Sequence, residues 1–277
     1  MTKKQNIKLV ATDLDGTLLN DDQKVSQENA KALKLLKDRN IVRVVATGRS
    51  YYSFKKVIPP DFPIDYLAFS TGAGIMSWPD KKLIYSRYLE AEKVEAIARL
   101  LIMKKVDFMV HHAIPDNHYF DYCRFSGDNP DFDRRCRNYV AFGTAKNENS
   151  ISYKNATQIL AVFPPQNHNL FDTLAQSMQG TKVVKTTSPL DKESLWMEIF
   201  PPDVSKGKAI EWVCSQESIN INQTLGIGND YNDLDLLRAT RYSYVVENAP
   251  FDLRREFTGT LSNNEHGFAN VLDKHIE

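Results

Sequence analysis

The sequence predicts an α/β fold: a doubly wound parallel sheet whose chain is interrupted once by an inserted α+β domain. Compact apolar runs of strand length alternate with helical segments in the first part of the chain, an order typical of βαβ units. The same order returns in the last third and is absent between. We therefore predict a core formed by 1–85 and 193–277, and an inserted domain over 86–192.

The first half of the core holds three predicted strands. They are short apolar runs without a helical period, which is typical of strands buried on both faces. Ser26 suits the N-cap of the helix that follows the first of them. The predicted elements are strands over 7–12, 41–47 and 66–71 and helices over 26–39 and 50–57.

The remaining elements fall into two groups. The later core repeats the strand and helix order, whereas the inserted segment mixes them in a way that favours antiparallel pairing. The later core is predicted to hold helices over 208–216, 233–239 and within 263–274, and strands over 224–228 and 242–246. The inserted domain is predicted to hold helices over 91–104, 130–139 and 168–178, and strands near 107–111, 157–163 and 181–187.

Composition excludes several classes of protein. The 277 residues include 35 Lys and Arg against 35 Asp and Glu. Basic residues are therefore not in excess, and the composition does not indicate a nucleic-acid scaffold. No apolar run approaches the roughly 18 residues that a membrane helix needs, and the N-terminus does not resemble a signal peptide. The 3 cysteines form no CxxC pair and fit reduced thiols. We expect a cytoplasmic protein with no nucleic-acid or membrane partner; the sequence predicts no oligomeric state.

Two acidic residues follow the first predicted strand. Asp13 and Asp15 stand where the strand ends, and Gly16 permits a sharp turn there. Because ligands of open α/β sheets bind at the carboxyl ends of the strands, both carboxylates are expected in that crevice. One could attack covalently while the other moves protons. A loop whose Asp residues accept hydrogen bonds from backbone amides is the alternative.

Two more groups carry chemistry at strand ends. Thr47, Gly48 and Arg49 follow the second strand and suit an anionic oxygen ligand, although the triplet alone favours a plain strand-to-helix turn. Lys206 stands at a helix start, where the macrodipole disfavours a cation, so it needs an anion or solvent nearby. Lys208 is a rival for any functional role.

A second cluster of acids and amides follows the strand over 224–228. Asn229, Asp230 and Asp233 offer oxygen ligands without sulfur, a set that suits Mg²⁺ rather than Zn²⁺. The alternative is that these residues form the N-terminus of a helix, where Asn and Asp are common. Carboxylates, a divalent metal, a hydroxyl and one lysine together make a phosphoryl-transfer site.

These motifs together resemble those of the haloacid dehalogenase-like (HAD) hydrolases. Within that family the chain is similar to the Cof-type phosphatases, which carry a large C2-type cap inserted before the lysine motif. The resemblance rests on DLDGTLL at 13–19, VVATGR at 44–49, EIFPPDVSKGKAI at 198–210 and GIGNDYNDLDLL at 226–237, and is extended by NAP at 248–250 and SNNEHGFANVL at 262–272.

The resemblance implies a HAD-like Rossmannoid core and a Mg²⁺-dependent phosphatase that acts on small phosphorylated metabolites through an aspartyl phosphate. Asp13 would be the nucleophile and Asp15 the general acid and base, while Thr47 and Lys206 would hold the phosphoryl oxygens. Mg²⁺ would lie between Asp13, the backbone carbonyl of Asp15 and the last motif. Candidate metal ligands are Asp13, Asp15, Asn229, Asp230 and Asp233, and candidate substrate-binding residues are Gly48, Arg49 and Asn232.

Two positions depart from the family pattern. Asn229 stands where the family usually has Asp, so the metal site loses a charge unless Asp230 or Asp233 supplies it. Thr71 stands where members often carry Asn. Two other functions remain open: a phosphomutase or phosphotransferase that passes the phosphate to a sugar hydroxyl, and a non-catalytic sensor of a phosphorylated ligand.

Three further groups invite a functional interpretation and have a structural one. His111 and His112 are adjacent on a predicted strand, so their side chains face opposite ways and do not suggest a metal site. Arg134, Arg135 and Arg137 fit a solvated helix face better than an anion patch, although a lining of the cap is an alternative. Trp212 and Cys214 are predicted to lie in the core.

Overall fold

The computed structural model describes residues 6–148, 152–188 and 190–276. The chain divides into two compact units, one formed by Met1–Tyr85 with Ser205–Glu277 and the other by Ser86–Val204. The predicted boundary between residues 192 and 193 is wrong. The strand Leu195–Phe200 pairs on both sides with strands of the second unit, so the chain returns to the first unit only at Ser205.

The strands, in chain order, are β1 (Leu9–Thr12), β2 (Val42–Ala46), β3 (Tyr66–Phe69), β4 (Gly74–Ser77), β5 (Lys82–Ser86), β6 (Asp107–His112), β7 (Phe120–Cys123), β8 (Gly143–Ala145), β9 (Ala156–Phe163), β10 (Lys182–Thr187), β11 (Leu195–Phe200), β12 (Thr224–Gly228), β13 (Tyr242–Val246) and β14 (Thr258–Thr260). The helices are α1 (Gln27–Asp38), α2 (Tyr51–Phe54), α3 (Ala91–Met103), α4 (Pro130–Asn138), α5 (His168–Ser177), α6 (Lys206–Gln216), α7 (Leu234–Ala239), α8 (Phe251–Glu256) and α9 (Gly267–His275).

The first unit is built on a sheet with the order β14-β13-β12-β1-β2-β3-β4-β5. The pairs from β14 to β3 are parallel, as predicted from the alternation of strands and helices. The pairing of β3 with β4 is antiparallel, because the connection between them is too short for a crossover. The sheet is therefore parallel at its centre and has an antiparallel extension at one edge.

Apolar side chains fix the helices of the first unit against this sheet. All four residues of β1 are buried, as expected for a central parallel strand. The side chain of Ser26 accepts a hydrogen bond from the Asn29 amide at 3.2 Å and caps α1, as predicted. Cys214 lies in the core, and Trp212 packs against it with its ring 5.2 Å from that of Tyr85.

The second unit is built on a sheet with the order β10-β11-β9-β6-β7-β8. Its pairs are antiparallel except for β7 with β8, which agrees with the predicted α+β character of the insertion. Apolar residues of α3 and α5 pack on one face, and Phe132 of α4 packs on the other, against Met109 and Trp196. On β6, His111 is buried and His112 is exposed, as strand alternation predicts.

Several short elements were not predicted, among them β7, β8, α8 and β14. Each is only three to six residues long, which is too short for a hydrophobic period to be recognised. Within the described residues, no helix combines the length and apolar character needed to cross a membrane.

Candidate active site

Three buried charged side chains meet at the carboxyl end of β1. The ammonium nitrogen of Lys206 donates to Oδ1 of Asp13 at 2.6 Å and to Oδ1 of Asp233. It also lies 3.5 Å from Oδ1 of Asn232. Lys206 and Asp233 are 0% exposed and Asp13 is 4% exposed. Of the two alternatives left open for Lys206, an anion or solvent, the structure shows the anion, a pair of carboxylates.

The turn after β1 sets the direction of the Asp13 side chain. The Asp13 amide donates to the carbonyl of Ile227 on β12 at 2.9 Å, which extends the parallel pairing by one residue. The chain then enters a wide turn over Leu14–Leu18, in which Gly16 has a φ of 73°. A Cβ on Gly16 would lie 2.6 Å from Nδ2 of Asn229, so only glycine allows this close approach.

Helix α6 delivers Lys206 to the cluster from its first residue. The Ser205 side chain caps the helix by accepting from the Lys208 amide at 3.1 Å. A Cβ on Gly207 would lie 2.2 Å from the carbonyl oxygen of Asp235, so glycine allows α6 to approach α7 closely. Lys208, the rival candidate, is exposed and pairs with Glu211 at 2.7 Å.

The cluster carries one more negative than positive charge when all three groups are ionised. Burial, followed by the charge of Asp233, raises the pKa of Asp13 to about 8. Burial alone would lower the pKa of Lys206, but the carboxylates of Asp13 and Asp233 outweigh it and raise that pKa above its ordinary value. Lys206 is therefore a permanent cation. A second cation beside Asp13 would lower the pKa of its carboxyl again.

The loop after β12 surrounds Asp233. Oδ2 of Asp233 accepts from the amides of Asn229 at 2.8 Å and Asp230 at 3.1 Å, while its Oδ1 accepts from Lys206. Both oxygens are thus engaged, and Asp233 supports the loop and the lysine. Asp230 caps the following turn by accepting from the Tyr231 amide at 2.7 Å, and burial raises its pKa. Oδ1 of Asn229 accepts from the Thr17 hydroxyl at 3.2 Å.

The oxygen atoms at this edge of the sheet fit a hard cation. Among the described residues, Oδ2 of Asp13 accepts no hydrogen bond, although the side chain is buried. Within that same part of the chain, no three His, Cys, Asp or Glu side chains converge as a metal-holding group. The available set is therefore one Asp13 oxygen, the Asn229 amide oxygen and backbone carbonyls. Such neutral and anionic oxygens are the donors that Mg²⁺ accepts, with water completing its shell.

Asp15 lies outside the buried cluster. Its two oxygens accept from Nη2 and Nε of Arg49 at 2.6 and 2.7 Å, a bidentate ion pair. The Asp15 side chain is 46% exposed, whereas that of Arg49 is 17% exposed. Arg49 also approaches Ser53 and Gln23 at 3.4 Å. The structure therefore brings Asp15 and Arg49 together at the solvent side of the strand ends.

A backbone hydrogen bond joins the loops after β2 and β3. The Thr47 side chain is buried and accepts from the Arg49 amide at 3.1 Å, while the Thr47 carbonyl accepts from the Thr71 amide at 2.9 Å. Ser70 and Thr71 have φ values of 49° and 59°, in the left-handed region that non-glycine residues seldom occupy. Gly48 lies beside this turn, its added Cβ 3.9 Å from the Thr71 hydroxyl. Two consecutive strained residues thus lie in a turn of the candidate site.

Two asparagines that sequence reasoning gave no role support the turn after β1. Nδ2 of Asn248 donates to the Gly16 carbonyl at 2.8 Å, and Oδ1 of Asn248 accepts from the Asn263 amide at 3.0 Å. Asn263 is buried and donates to the Leu19 carbonyl at 3.1 Å and to Asp21 at 3.0 Å. Their only signal in the sequence is their place in the NAP and SNNEHGF motifs.

A comparison with protein families shows which family has this arrangement of residues. The model of the haloacid dehalogenase-like hydrolases matches residues 10–272. The chain belongs to this family. The family resemblance predicted from the motifs at 13–19 and 226–237 is thus confirmed, as is the prediction of a hydrolase.

Relatives of this HAD-family chain that span its length are named phosphatases, which supports the phosphatase prediction. The Bacillus subtilis 5-amino-6-(5-phospho-D-ribitylamino)uracil phosphatase YwtE is 25% identical over 296 residues, covering 97% of this chain and 98% of the relative. The phosphatase YwpJ of the same organism is 26% identical over 287 residues, covering 98% and 100%.

Solved structures of the superfamily share the fold. The Bacteroides thetaiotaomicron phosphatase BT1666 matches with a TM-score of 0.81 and 19% identity, covering 97% of this chain and 95% of that one. The sugar phosphatase BT4131, of HAD subclass IIB, matches with a TM-score of 0.75 and 18% identity, covering 96% and 98%. The predicted fold class is therefore confirmed.

Proposed function

We propose that this HAD-family chain hydrolyses phosphate monoesters of small metabolites through a phosphoryl group held transiently on Asp13. The observation that carries the proposal is the asymmetry of the Asp13 carboxylate. Oδ1 is held by Lys206 at 2.6 Å, whereas Oδ2 accepts no hydrogen bond from the described residues. A buried carboxylate fixed through one oxygen presents the other as a nucleophile in one orientation.

The positive charge beside Asp13 suits an incoming phosphate. Lys206 lowers the repulsion between the carboxylate and the phosphate dianion and would contact an oxygen of the transferring group. The Thr47 hydroxyl and the Asn232 amide stand at neighbouring strand ends and would donate to the remaining oxygens. In this role the buried lysine both fixes the nucleophile and stabilises charge in the transition state.

Asp15 supplies the proton transfer. It would protonate the leaving oxygen and then take a proton from the water that hydrolyses the phosphoryl enzyme. The bidentate pair with Arg49 holds Asp15 outside the buried cluster, so Asp15 must leave Arg49 to reach the substrate. Arg49 would then bind an anionic or hydroxyl oxygen of the leaving group, the substrate-binding role predicted for it.

Mg²⁺ fits the oxygen donors at this edge. Asp13, the Asp15 carbonyl and Asn229 would hold it, with Asp230 as the acid nearest to replace the charge that Asn229 lacks. When bound, the ion neutralises negative charge on the phosphate and the nucleophile. Asp233 is assigned to Lys206 and to the loop amides, because both of its oxygens are engaged there.

The substrate class is a small monoester whose leaving group is a sugar or a similar alcohol. The relative YwtE is named for a phosphorylated ribityl compound and the structural neighbour BT4131 for sugar phosphates. A phosphomutase would use the same Asp13 chemistry and return the phosphate to a sugar hydroxyl. The inserted unit as a substrate-selecting cap, and a location in the cytoplasm, stay predictions.

The test is phosphate release from a panel of sugar phosphates with Mg²⁺ and no acceptor, for the wild type and three variants. Asp13→Asn should abolish turnover. Asp15→Asn should lower it by about 10²–10⁴-fold, the usual contribution of acid–base catalysis. Asp22→Asn is the matched control, because Asp22 is exposed in the same loop and makes no hydrogen bond with the described residues.

Rapid quenching should trap phosphate on the wild-type protein, and mapping should place it on Asp13. Phosphate mapped to another residue, or full turnover by Asp13→Asn, would contradict the assignment. Release of phosphate only when a sugar acceptor is added would favour a phosphotransferase. Binding of sugar phosphates without any turnover would favour the sensor.

A further inference from the structure

Arg135, on the second unit, holds a guanidinium group whose Nε has no acceptor among the described residues. Its carbon Cζ lies 4.7 Å from the ring centre of Trp196 and 5.5 Å from that of Tyr139, so aromatic surfaces cover it. Its Nε is buried without a hydrogen-bond partner, and the described residues form no ion pair with it. Arg124 shows the usual state of a partly buried arginine, since it pairs with Asp107 and Asp133.

The acid one helical turn before Arg135 on α4 is already engaged. Oδ1 of Asp131 accepts from the Ser188 hydroxyl at 2.7 Å, and its Oδ2 accepts from Nε1 of Trp196 at 2.6 Å. Asp131 is almost fully buried, so these bonds fix the Trp196 ring that lies against Arg135. The arginine is thus held in place by its surroundings while its Nε–H group has no acceptor among the described residues.

A second unsatisfied group lies on the same face of the sheet. His111 is 7% exposed, and its Nδ1 lies 3.0 Å from the Asn117 carbonyl, to which it must donate. Nε2 is then a lone-pair acceptor, and it is buried without a hydrogen-bond partner among the described residues. Burial, followed by the charge of Arg135, lowers the pKa of His111 to about 3, so the ring is neutral.

The strand register places His111 and Trp196 on one face. Residues of β9 pair with both neighbouring strands: Val162 lies opposite Trp196, and Gln158 lies opposite His111. Because positions 158 and 162 differ by an even number, their side chains share the face that α4 covers in part. The charge of Arg135 acts on His111 across this face.

We propose that this face of the second unit binds a small hydroxy acid, with its carboxylate on Arg135 and its hydroxyl donating to Nε2 of His111. Buried polar groups are nearly always satisfied, and each exception needs an explanation. A carboxylate matches the planar fork of a guanidinium, and a hydroxyl donor matches Nε2 of His111, which can only accept. The site binds its ligand whether or not the chain is a phosphatase.

The probes are malate and succinate, which differ by one hydroxyl, titrated into the full-length protein in a calorimeter. We expect malate to bind with a Kd in the millimolar range or below, and succinate about tenfold more weakly. Arg135→Gln should weaken malate binding by about tenfold or more. Arg137→Gln is the matched control on the same helix, because Arg137 is exposed and should leave binding within about twofold.

His111→Phe tests the second contact separately. It should remove the preference for malate over succinate and leave succinate binding unchanged. If Arg135→Gln does not fold, Arg135→Lys replaces it, since the lysine keeps the charge and loses the fork. Failure of both acids to bind the wild type, or equal effects of the variants at 135 and 137, would overturn the proposal. Phosphate release is not measured, so these outcomes are independent of the proposed activity.

Discussion

Replacing Lys206 by methionine removes the only cation of the described residues that contacts both Asp13 and Asp233. Methionine fills much of the same buried volume, so the change is mainly one of charge. We expect a large loss of stability that grows with pH. The reason is that Lys206 is fully buried and each carboxylate near it is almost fully buried.

The size of the loss follows from the charge left behind. Removing one partner of a buried ion pair typically costs about 3–5 kcal/mol. A carboxyl group can avoid that cost by binding a proton. Keeping a carboxyl group protonated costs about 1.4 kcal/mol for each pH unit above its ordinary pKa of 3.8. The cost is therefore about 6 kcal/mol at pH 8 but only about 2 kcal/mol at pH 5.5.

The expected loss is therefore about 3–5 kcal/mol at pH 8 and at most about 2 kcal/mol at pH 5.5. The sign agrees with linkage: a carboxyl whose pKa is raised on folding stabilises at low pH, and that contribution is lost as pH rises through the folded value. The charge left unbalanced in the variant is that of the carboxylate that Lys206 neutralises.

The assay is urea unfolding at both pH values in EDTA, with Lys208→Met as the matched control. Lys208 lies two residues along the same helix, is 59% exposed and pairs only across the helix surface with Glu211. Its replacement should cost less than about 1 kcal/mol at either pH. Equal losses for the two lysines, or a loss at 206 that does not change with pH, would refute the reasoning.

Three further predictions concern the same site. Mg²⁺ should raise the melting temperature more at pH 8 than at pH 5.5, because protons compete for Asp13 up to its pKa of about 8; an equal rise would contradict the metal position. Thr71→Asn should stabilise the protein by about 1 kcal/mol in urea unfolding, since asparagine tolerates the left-handed backbone at φ 59°; destabilisation would locate the strain elsewhere. Asn248→Ala should lower phosphate release about tenfold by freeing the Gly16 carbonyl, whereas Asn222→Ala, at an exposed asparagine, should not; equal rates would leave Asn248 without a positioning role.

Strands of the first unit were predictable because a strand buried on both faces is a short run of mostly apolar residues. A strand such as β1, covered on both faces, has no exposed position, and few other structures use so short an apolar run. The need of Lys206 for an anion was equally local, since it follows from the electrostatics of a helix start. Such features depend on neighbours in the chain.

The features that were missed depend on partners far along the chain. β11 has an ordinary apolar composition, and nothing local tells whether it joins the sheet before it or the one after it. The pair of Asp15 with Arg49 spans 34 residues and that of Asn248 with Gly16 spans 232. The positioning of the candidate acid therefore depends on tertiary contacts that no periodicity reveals.

The insertion of one unit within the other has a consequence for synthesis on the ribosome. Strand β1 finds β2 soon after it emerges, but its other neighbour, β12, begins only at Thr224. Until then the open edge of β1, beside Asp13, displays unpaired backbone groups that can pair with other chains. The continuous segment Ser86–Val204 can fold in the meantime, because each strand of its sheet lies within it. We therefore expect a nascent chain stalled before residue 224 to have a folded second unit. Its first unit would be incomplete and inactive, with an unpaired strand edge that can associate with other chains.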